Sequence, residues 1–335
     1  MPTIKNLSCT VVVCAYTLER WDDIQAGAQE AERQLVASGR DGTILIVSDH
    51  NPQLYQRALT DLASPRLAVI ENARRRGLSG ARNTALERLD TDLVVFLDDD
   101  AVPEPDWLEA LLAPFADPTV VATGGAAEPR WPDGACRPVT LPARPGPGQR
   151  GELDWVVGCT YQGQPTQLAE VRNVMGCNMA FRASVFVMTG GFGEDLGRVG
   201  KVPYGCEETE LCIRARQQDP RSRILFEPRS LVRHRVSPDR LTWRYLWRRC
   251  YAEGISKAAV TERTTRSASL STELSYTTTV LPAAVARELG STPTSLRRGL
   301  AGAFAISSGL AATTLGYVVG RIAIRRGRTV SMKES

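Results

Sequence analysis

Residues 94–107, VVFLDDDAVPEPDW, set three aspartates directly after four apolar residues and ahead of a proline-marked turn. The apolar run suits a buried strand. Side chains on a strand alternate faces, so Asp98 and Asp100 point one way and Asp99 the other. Two carboxylates converging on one spot repel unless a cation or a cationic ligand sits between them. A solvated acidic turn and a metal or ligand site both satisfy this stretch taken alone.

Working outward, DLVVFLDDD (92–100) is the fourth of a series of strands. TVVVCAY (10–16), GTILIVSDH (42–50) and RLAVIEN (66–72) precede it. Helical segments are expected between them, over 21–35 with weak spacing and over 53–62. LSGARNTALERL (78–89) offers Ser79 as its N-cap, and PEPDWLEALLAPF (103–115) begins with prolines. Strand and helix alternate four times, the signature of βαβ units and a largely parallel sheet. Ligands bind such sheets beyond the carboxyl ends of the strands. Three polar clusters fall there: Ser48-Asp49-His50, the loop RRRGLSGARN, and Asp98–Asp100. Their convergence favours a site over a turn.

The chain has 335 residues, 43% hydrophobic and 23% charged, which allows a sizeable core. A net charge of +4 is too small to suggest nucleic acid, although eleven arginines lie between Arg214 and Arg249 against three acidic residues. The cysteines (Cys9, Cys14, Cys136, Cys159, Cys177, Cys206, Cys212 and Cys250) include no CxxC pair and match neither a zinc site nor a disulfide framework. With no N-terminal signal pattern, free thiols in the cytoplasm are the simpler expectation. Residues 129–150, rich in Pro, Gly and Arg, read as a loop or linker. A further helix is expected at CEETELCIRARQQ (206–218), with acids in its first turn and arginines near its end, followed by two short extended runs, RILFEP and SLVRHRV.

The tail differs. Residues 299–320 carry no charge and are bracketed by Arg297–Arg298 and by Arg321, Arg325, Arg326 and Arg328. Twenty-two residues at ~1.5 Å each could span a bilayer of ~30 Å. The Ala, Gly, Ser and Thr content gives weak apolar drive, so an interfacial helix, a span and a packed small-residue helix all stay open.

Taken in order, VVVCAY, LIVSDHN, RGLSGARNTAL, VVFLDDDAVPEPDWLEAL, VRNVMGCNMAFR…GGFGEDLG, CEETELCIRAR and EPRSLVRHRV resemble glycosyltransferase family 2 over about residues 10–240. That family comprises inverting enzymes of GT-A fold that use nucleotide-diphospho-sugars. The resemblance implies an α/β, Rossmann-like GT-A domain with a mainly parallel central sheet flanked by helices; the residues beyond 255, which it does not cover, are expected as a helical C-terminal extension. The expected division is 1–255 catalytic, with about 1–128 binding the nucleotide-sugar and about 151–255 the acceptor, and 256–335 helical.

The resemblance also implies roles. Asp98-Asp99-Asp100 stand at the family's DxD element, where the last aspartate binds Mn²⁺ or Mg²⁺ and the first contacts the ribose or the metal shell. Hard divalent ions want such oxygens. Asp49 is expected to hydrogen-bond the base, uracil by resemblance, although Ser48 replaces what is often a second aspartate. Arg82 and Asn83 are expected along the nucleotide, and Asn178 at the sugar and acceptor pocket; a buried, backbone-bonded Asn178 is the bland alternative. Glu207-Glu208 stand where the family has Glu-Asp, whose second member is the general base, so Glu208 is assigned, with Glu207 and Glu210 as alternatives. His234 is expected to complete the metal shell, an imidazole suiting Mn²⁺ better than Mg²⁺. Arg233, Arg235 and Arg240 are offered to the diphosphate.

The implied partners are a UDP-sugar donor and a hydroxyl acceptor on a glycan, lipid-linked intermediate or natural product; the uncharged, arginine-flanked tail, not the resemblance, adds an anionic membrane surface at the inner face of the cell membrane. A sugar-1-phosphate nucleotidyltransferase should show a glycine-rich first loop, which VVVCAYTLERW lacks. A haloacid-dehalogenase-type phosphatase would carry its DxD on the first strand. A silent membrane-associated scaffold is disfavoured by acids at both site positions.

Overall fold

The structure is a computed structural model that describes residues 7–144, 146, 149–198, 204–264, 273–290 and 295–326. Arg328, the last expected flanking arginine, lies outside the described residues.

The four expected strands form β1 (Cys9–Ala15), β2 (Gly42–Ser48), β3 (Leu67–Glu71) and β4 (Leu93–Asp98). β1 pairs in parallel with β2 and β4, and β2 with β3. The connections carry α1 (Trp21–Ser38), α2 (Pro52–Asp61) and α3 (Leu78–Leu86). Ser79 does not cap α3. The helix starts at Leu78 after Gly77, and the Ser79 hydroxyl donates instead to the Leu196 carbonyl at 2.8 Å. Gly80 is required here because a Cβ would overlap the Arg75 carbonyl oxygen, so the loop RRRGLSG folds flat onto the helix start.

Beyond β4 the sheet turns antiparallel. β5 (Ala101–Pro103), α4 (Trp107–Leu112), β6 (Val120–Arg130), β7 (Ala169–Glu170), β8 (Asn178–Arg182), α5 (Ala183–Thr189), α6 (Glu207–Gln218) and β9 (Arg223–Arg235) follow. β8 runs antiparallel to β4 and β6, and β9 antiparallel to β5 and β7. The nine-stranded sheet has the order β3-β2-β1-β4-β8-β6-β9-β5, with β7 on β9. The largely parallel sheet expected is therefore a parallel block of four strands continued by an antiparallel one. The two extended runs expected at 223–236 are a single strand, β9.

Both faces of the parallel block are buried, which explains its unbroken apolar runs. Val11, Val13, Ile44, Ile46, Val95 and Leu97 pack against α1 and α4. Their alternates Val12, Leu45, Val47, Val94 and Phe96 pack against α3, α5 and α6. Phe96, Phe181, Phe186 and Phe192 meet there with ring centroids 5.4–6.5 Å apart.

The chain forms two compact units. The first holds residues 1–128, 165–201 and 207–234, and contains the sheet. The second holds 129–164, 202–206 and 235–335. This differs from the expected boundary at 255, because α7 (Trp243–Arg263) runs through that position without a break. In the second unit α7 packs on α9 (Leu296–Arg325), with α8 (Leu281–Leu289) beside them. A Cβ at Gly254 would overlap the Thr313 carbonyl, and one at Gly316 the Tyr251 carbonyl, so small residues set the helix spacing. The opposite face of α9 exposes Leu300, Leu315, Val318 and Ile322, while Phe304, also exposed, packs beside the Trp243 and Trp247 rings of α7. Among the described residues α9 is the one helix long and apolar enough to cross a membrane. All eight cysteines are thiols without disulfides.

Candidate active site

β4 ends at Asp98, and the next two residues turn the chain into β5, whose Ala101 lies opposite His234 of β9. That register carries the imidazole to the acidic turn across 134 residues of sequence. Ligand atoms of Asp98, Asp100 and His234 all lie within 4.8 Å of one another. His234 Nε2 stands 3.1 Å from Asp100 Oδ1.

Two arginines flank the acids. Arg20, just past the carboxyl end of β1, pairs with Asp99 and reaches Asp100 Oδ2 at 3.0 Å. Arg82 of α3 donates to Glu207 Oε1 at 2.8 Å and to the Gly176 carbonyl at 2.8 Å, and lies 3.5 Å from Asp98 Oδ1. Its guanidinium also sits over the rings of Phe96 and Phe192. Burial pushes the Asp99 carboxyl up to about 6; Arg20 opposes the rise and Asp100 adds to it.

The first turn of α6 supplies three glutamates. Glu207 is buried on Arg82, and Glu210 is held by Arg214 at 2.6 and 2.9 Å. Glu208 lies between them, half-buried, and accepts a bond from the Thr209 hydroxyl at 3.3 Å.

The structure therefore brings together Asp98, Asp99, Asp100, His234, Arg82 and Glu207, which sequence had scattered. Asp49 follows β2 and is turned towards the loop after β3, accepting from Asn72 Nδ2 at 2.7 Å and the Gly77 amide at 2.9 Å. Several of the expected residues are engaged within the protein. Arg82 is 1% exposed and is held by Glu207, Asp98 and the Gly176 carbonyl. Asn83 bonds both backbone groups of Phe192, at 2.8 and 2.9 Å, pinning that loop. Asn178 is fully buried, donating to the Ala126 and Ser230 carbonyls and accepting from the Trp107 indole, the arrangement of the buried, backbone-bonded alternative. Arg233 is ion-paired with Glu104 and Glu128, and the buried Arg240 faces the Val157 carbonyl. Arg235 follows His234 on β9 and leaves from the strand's other face.

Arg20 was missed. Its signal was the parallel pairing itself: Cys14 lies opposite Asp98, so residues just after β1 must reach the acidic turn.

The donor set suits a hard divalent ion, with two carboxylates and one imidazole. Neighbouring ligands on an ion at ~2.1 Å stand about 3 Å apart, the spacing of His234 Nε2 and Asp100 Oδ1. Asp99 Oδ2, Glu207 Oε2 and His234 Nδ1 are buried polar atoms without a hydrogen-bond partner among the described residues. Such orphans are costly in a finished core and expected beside a polar ligand site.

Comparison with known proteins identifies the family and the fold. Residues 10–187 match the family described as Glycosyl transferase family 2. The chain is 31% identical over 253 residues to a glucosyl-dolichyl phosphate glucuronosyltransferase of Haloferax volcanii, covering 75% of this chain and 76% of that one. It is 29% identical over 204 residues to a pre-mycofactocin glycosyltransferase of Mycobacterium tuberculosis, covering 60% of this chain and only 39% of that longer protein. Among solved structures, a mannosyltransferase from Pyrobaculum calidifontis in complex with GDP-Man and Mn²⁺ superimposes with a TM-score of 0.56 at 19% identity, over 96% of this chain and 89% of that one, which shows the shared GT-A fold. The chain belongs to glycosyltransferase family 2, and is a glycosyltransferase.

Proposed function

We propose that the protein is a metal-dependent, inverting glycosyltransferase that moves a sugar from a nucleoside-diphosphate donor, with uracil as the base, to a hydroxyl of a lipid-linked acceptor. The observation that carries this reading is Arg82, one buried guanidinium touching both Asp98 and Glu207. It ties the acidic turn to the start of α6, so donor-side and acceptor-side carboxylates share one anchor.

Asp98, Asp100 and His234 would hold Mn²⁺ or Mg²⁺, which when bound neutralises charge developing on the leaving diphosphate. The remaining chemistry belongs to the chain. Glu208 takes the proton of the acceptor hydroxyl as its oxygen bonds to the anomeric carbon. The bond from that carbon to the diphosphate oxygen breaks on the opposite face, and the nucleoside diphosphate departs with the electron pair. Glu207 and Glu210, each clamped by an arginine, are poorly placed to accept that proton. Three bonds to Asp49, from Asn72, Gly77 and His50, leave one acceptor position for a base amide.

The lipid-linked acceptor is supported by the haloarchaeal relative, whose name specifies a glucosyl-dolichyl phosphate. The exposed apolar face of α9, with arginines at both ends, supports peripheral attachment to an anionic membrane surface.

The test is release of nucleoside diphosphate from a panel of nucleotide-sugars, with and without metal. Glu208→Gln should still bind donor while transfer falls about 10²–10⁴-fold. Full activity in excess chelator, or a product of retained anomeric configuration by NMR, would contradict the mechanism.

A further inference from the structure

Four carboxylates meet at the site, Asp98, Asp99, Asp100 and Glu207, with two guanidinium groups among them. The two cations are not equivalent. Arg82 is 1% exposed and locked by Glu207, the Gly176 carbonyl and two aromatic rings. Arg20 is 16% exposed. It ends a single 3-10 turn, Leu18–Arg20, and its guanidinium lies 5.2 Å from the centre of the Tyr16 ring. Arg20 is thus at the mouth of the site and Arg82 beneath it.

Arg20 also holds the residue that a metal most needs. Asp100 Oδ1 faces His234 and Oδ2 faces Arg20 at 3.0 Å. A divalent ion shared by Asp100 and His234 would lie a few ångströms from the guanidinium, and like charges at such range repel strongly in a poorly solvated site. An anion arriving beside them relieves the conflict while keeping the guanidinium in the site. A diphosphate is such an anion, and a guanidinium matches its oxygens two at a time.

We propose that Arg20 competes with the divalent cation for Asp100 and transfers to the donor's diphosphate when both bind, so that it couples metal binding to donor binding. Metal alone then binds weakly, and metal and nucleoside diphosphate strengthen each other by equal factors. The device keeps the ion from settling tightly on a chain that carries no donor. This inference depends on the metal reading of Asp98, Asp100 and His234 above.

The experiment measures Mn²⁺ binding to the full-length, metal-stripped protein by electron paramagnetic resonance, with and without UDP. Arg20→Met should bind Mn²⁺ alone about ten-fold tighter than the unaltered protein, because a repelling charge is gone. UDP should then improve Mn²⁺ binding by a smaller factor than in the unaltered protein. Arg20→Lys, whose single ammonium cannot span Asp99 and Asp100, should give an intermediate gain, and decides the matter if Arg20→Met does not fold. Mn²⁺ affinity unchanged or weakened in these variants overturns the role of Arg20. Asp100→Asn separates the two readings: loss of Mn²⁺ binding there with no gain on altering Arg20 removes only this inference, whereas unchanged binding removes the metal site and this inference with it.

Discussion

Asp98, Asp99 and Asp100 are consecutive and have three different surroundings. Asp98 faces Arg82, Asp99 is buried on Arg20, and Asp100 stands between Arg20 and His234. Their consequences on substitution should differ accordingly. Asp100→Ala should abolish transfer and weaken donor binding in the presence of metal, read by activity and by titration calorimetry; substantial activity would move the ion elsewhere. Asp98 and Asp100 were legible as a candidate site because strand alternation and the strand's carboxyl end are written in the sequence, whereas His234 was expected only through the family resemblance. The internal bonds of Asn83 and Asn178 were not legible, for an equally physical reason. A polar residue beside a sheet end looks the same in sequence whether it meets a ligand or satisfies a buried carbonyl, and only the bonds to Phe192, Ala126 and Ser230 distinguish them. Arg20 escaped notice because its partners lie 79 and 80 positions away, on a strand whose adjacency to β1 is a property of the sheet.

At the scale of elements, α7 shows how charge and small residues share one helix. Arg249, Glu253 and Lys257 repeat at four-residue spacing, with Glu253 2.8 Å from Arg249 and 3.5 Å from Lys257, and Glu253 also accepts from the Cys206 thiol at 3.3 Å. Burial works against the Glu253 carboxylate, yet Arg249 and Lys257 outweigh it and hold its pKa down at about 2. A depressed folded-state pKa stabilises above the unfolded value of 4.5 and is lost as pH falls from there towards 2. Glu253→Gln should therefore destabilise the protein at pH 7 by at most about 3 kcal/mol, a ceiling because the side chain keeps 15% exposure, and the difference should shrink by pH 3. Denaturant titrations at the two pH values check this; an equal difference at both would show that the charge is not the cause. On the neighbouring face, Gly316→Val should cost about 1–3 kcal/mol by forcing α9 off the Tyr251 carbonyl. The sequence made α9 readable as an uncharged helix. Its division into a packed glycine face and an exposed leucine face was not readable, since that depends on which side α7 takes.

For the molecule as a whole, the parallel half of the sheet was legible because helices separate its strands, and the antiparallel half was not because its strands come from distant, irregular segments. The second unit was hidden further, its core drawing on Leu153, Leu246, Cys250, Leu281, Ala305 and Ile306 from four separated stretches. That core also decides how membrane attachment should be tested. Removing everything after Leu289 would strip Ala305 and Ile306 from it, so a truncated chain that failed to float would report unfolding. Surface replacement avoids this. Leu300, Leu315, Val318 and Ile322 are exposed along one face of α9, spread over about 33 Å at ~1.5 Å per residue. Arg297, Arg298, Arg325 and Arg326 are exposed at its ends. Replacing the four apolar residues by serine should leave thermal stability nearly unchanged and reduce flotation with anionic liposomes severalfold. The unaltered protein should itself detach as salt rises, because arginines attract anionic headgroups only within a Debye length. If the replaced and unaltered chains float equally while both remain folded, α9 is a packing helix alone and the attachment lies elsewhere or does not occur.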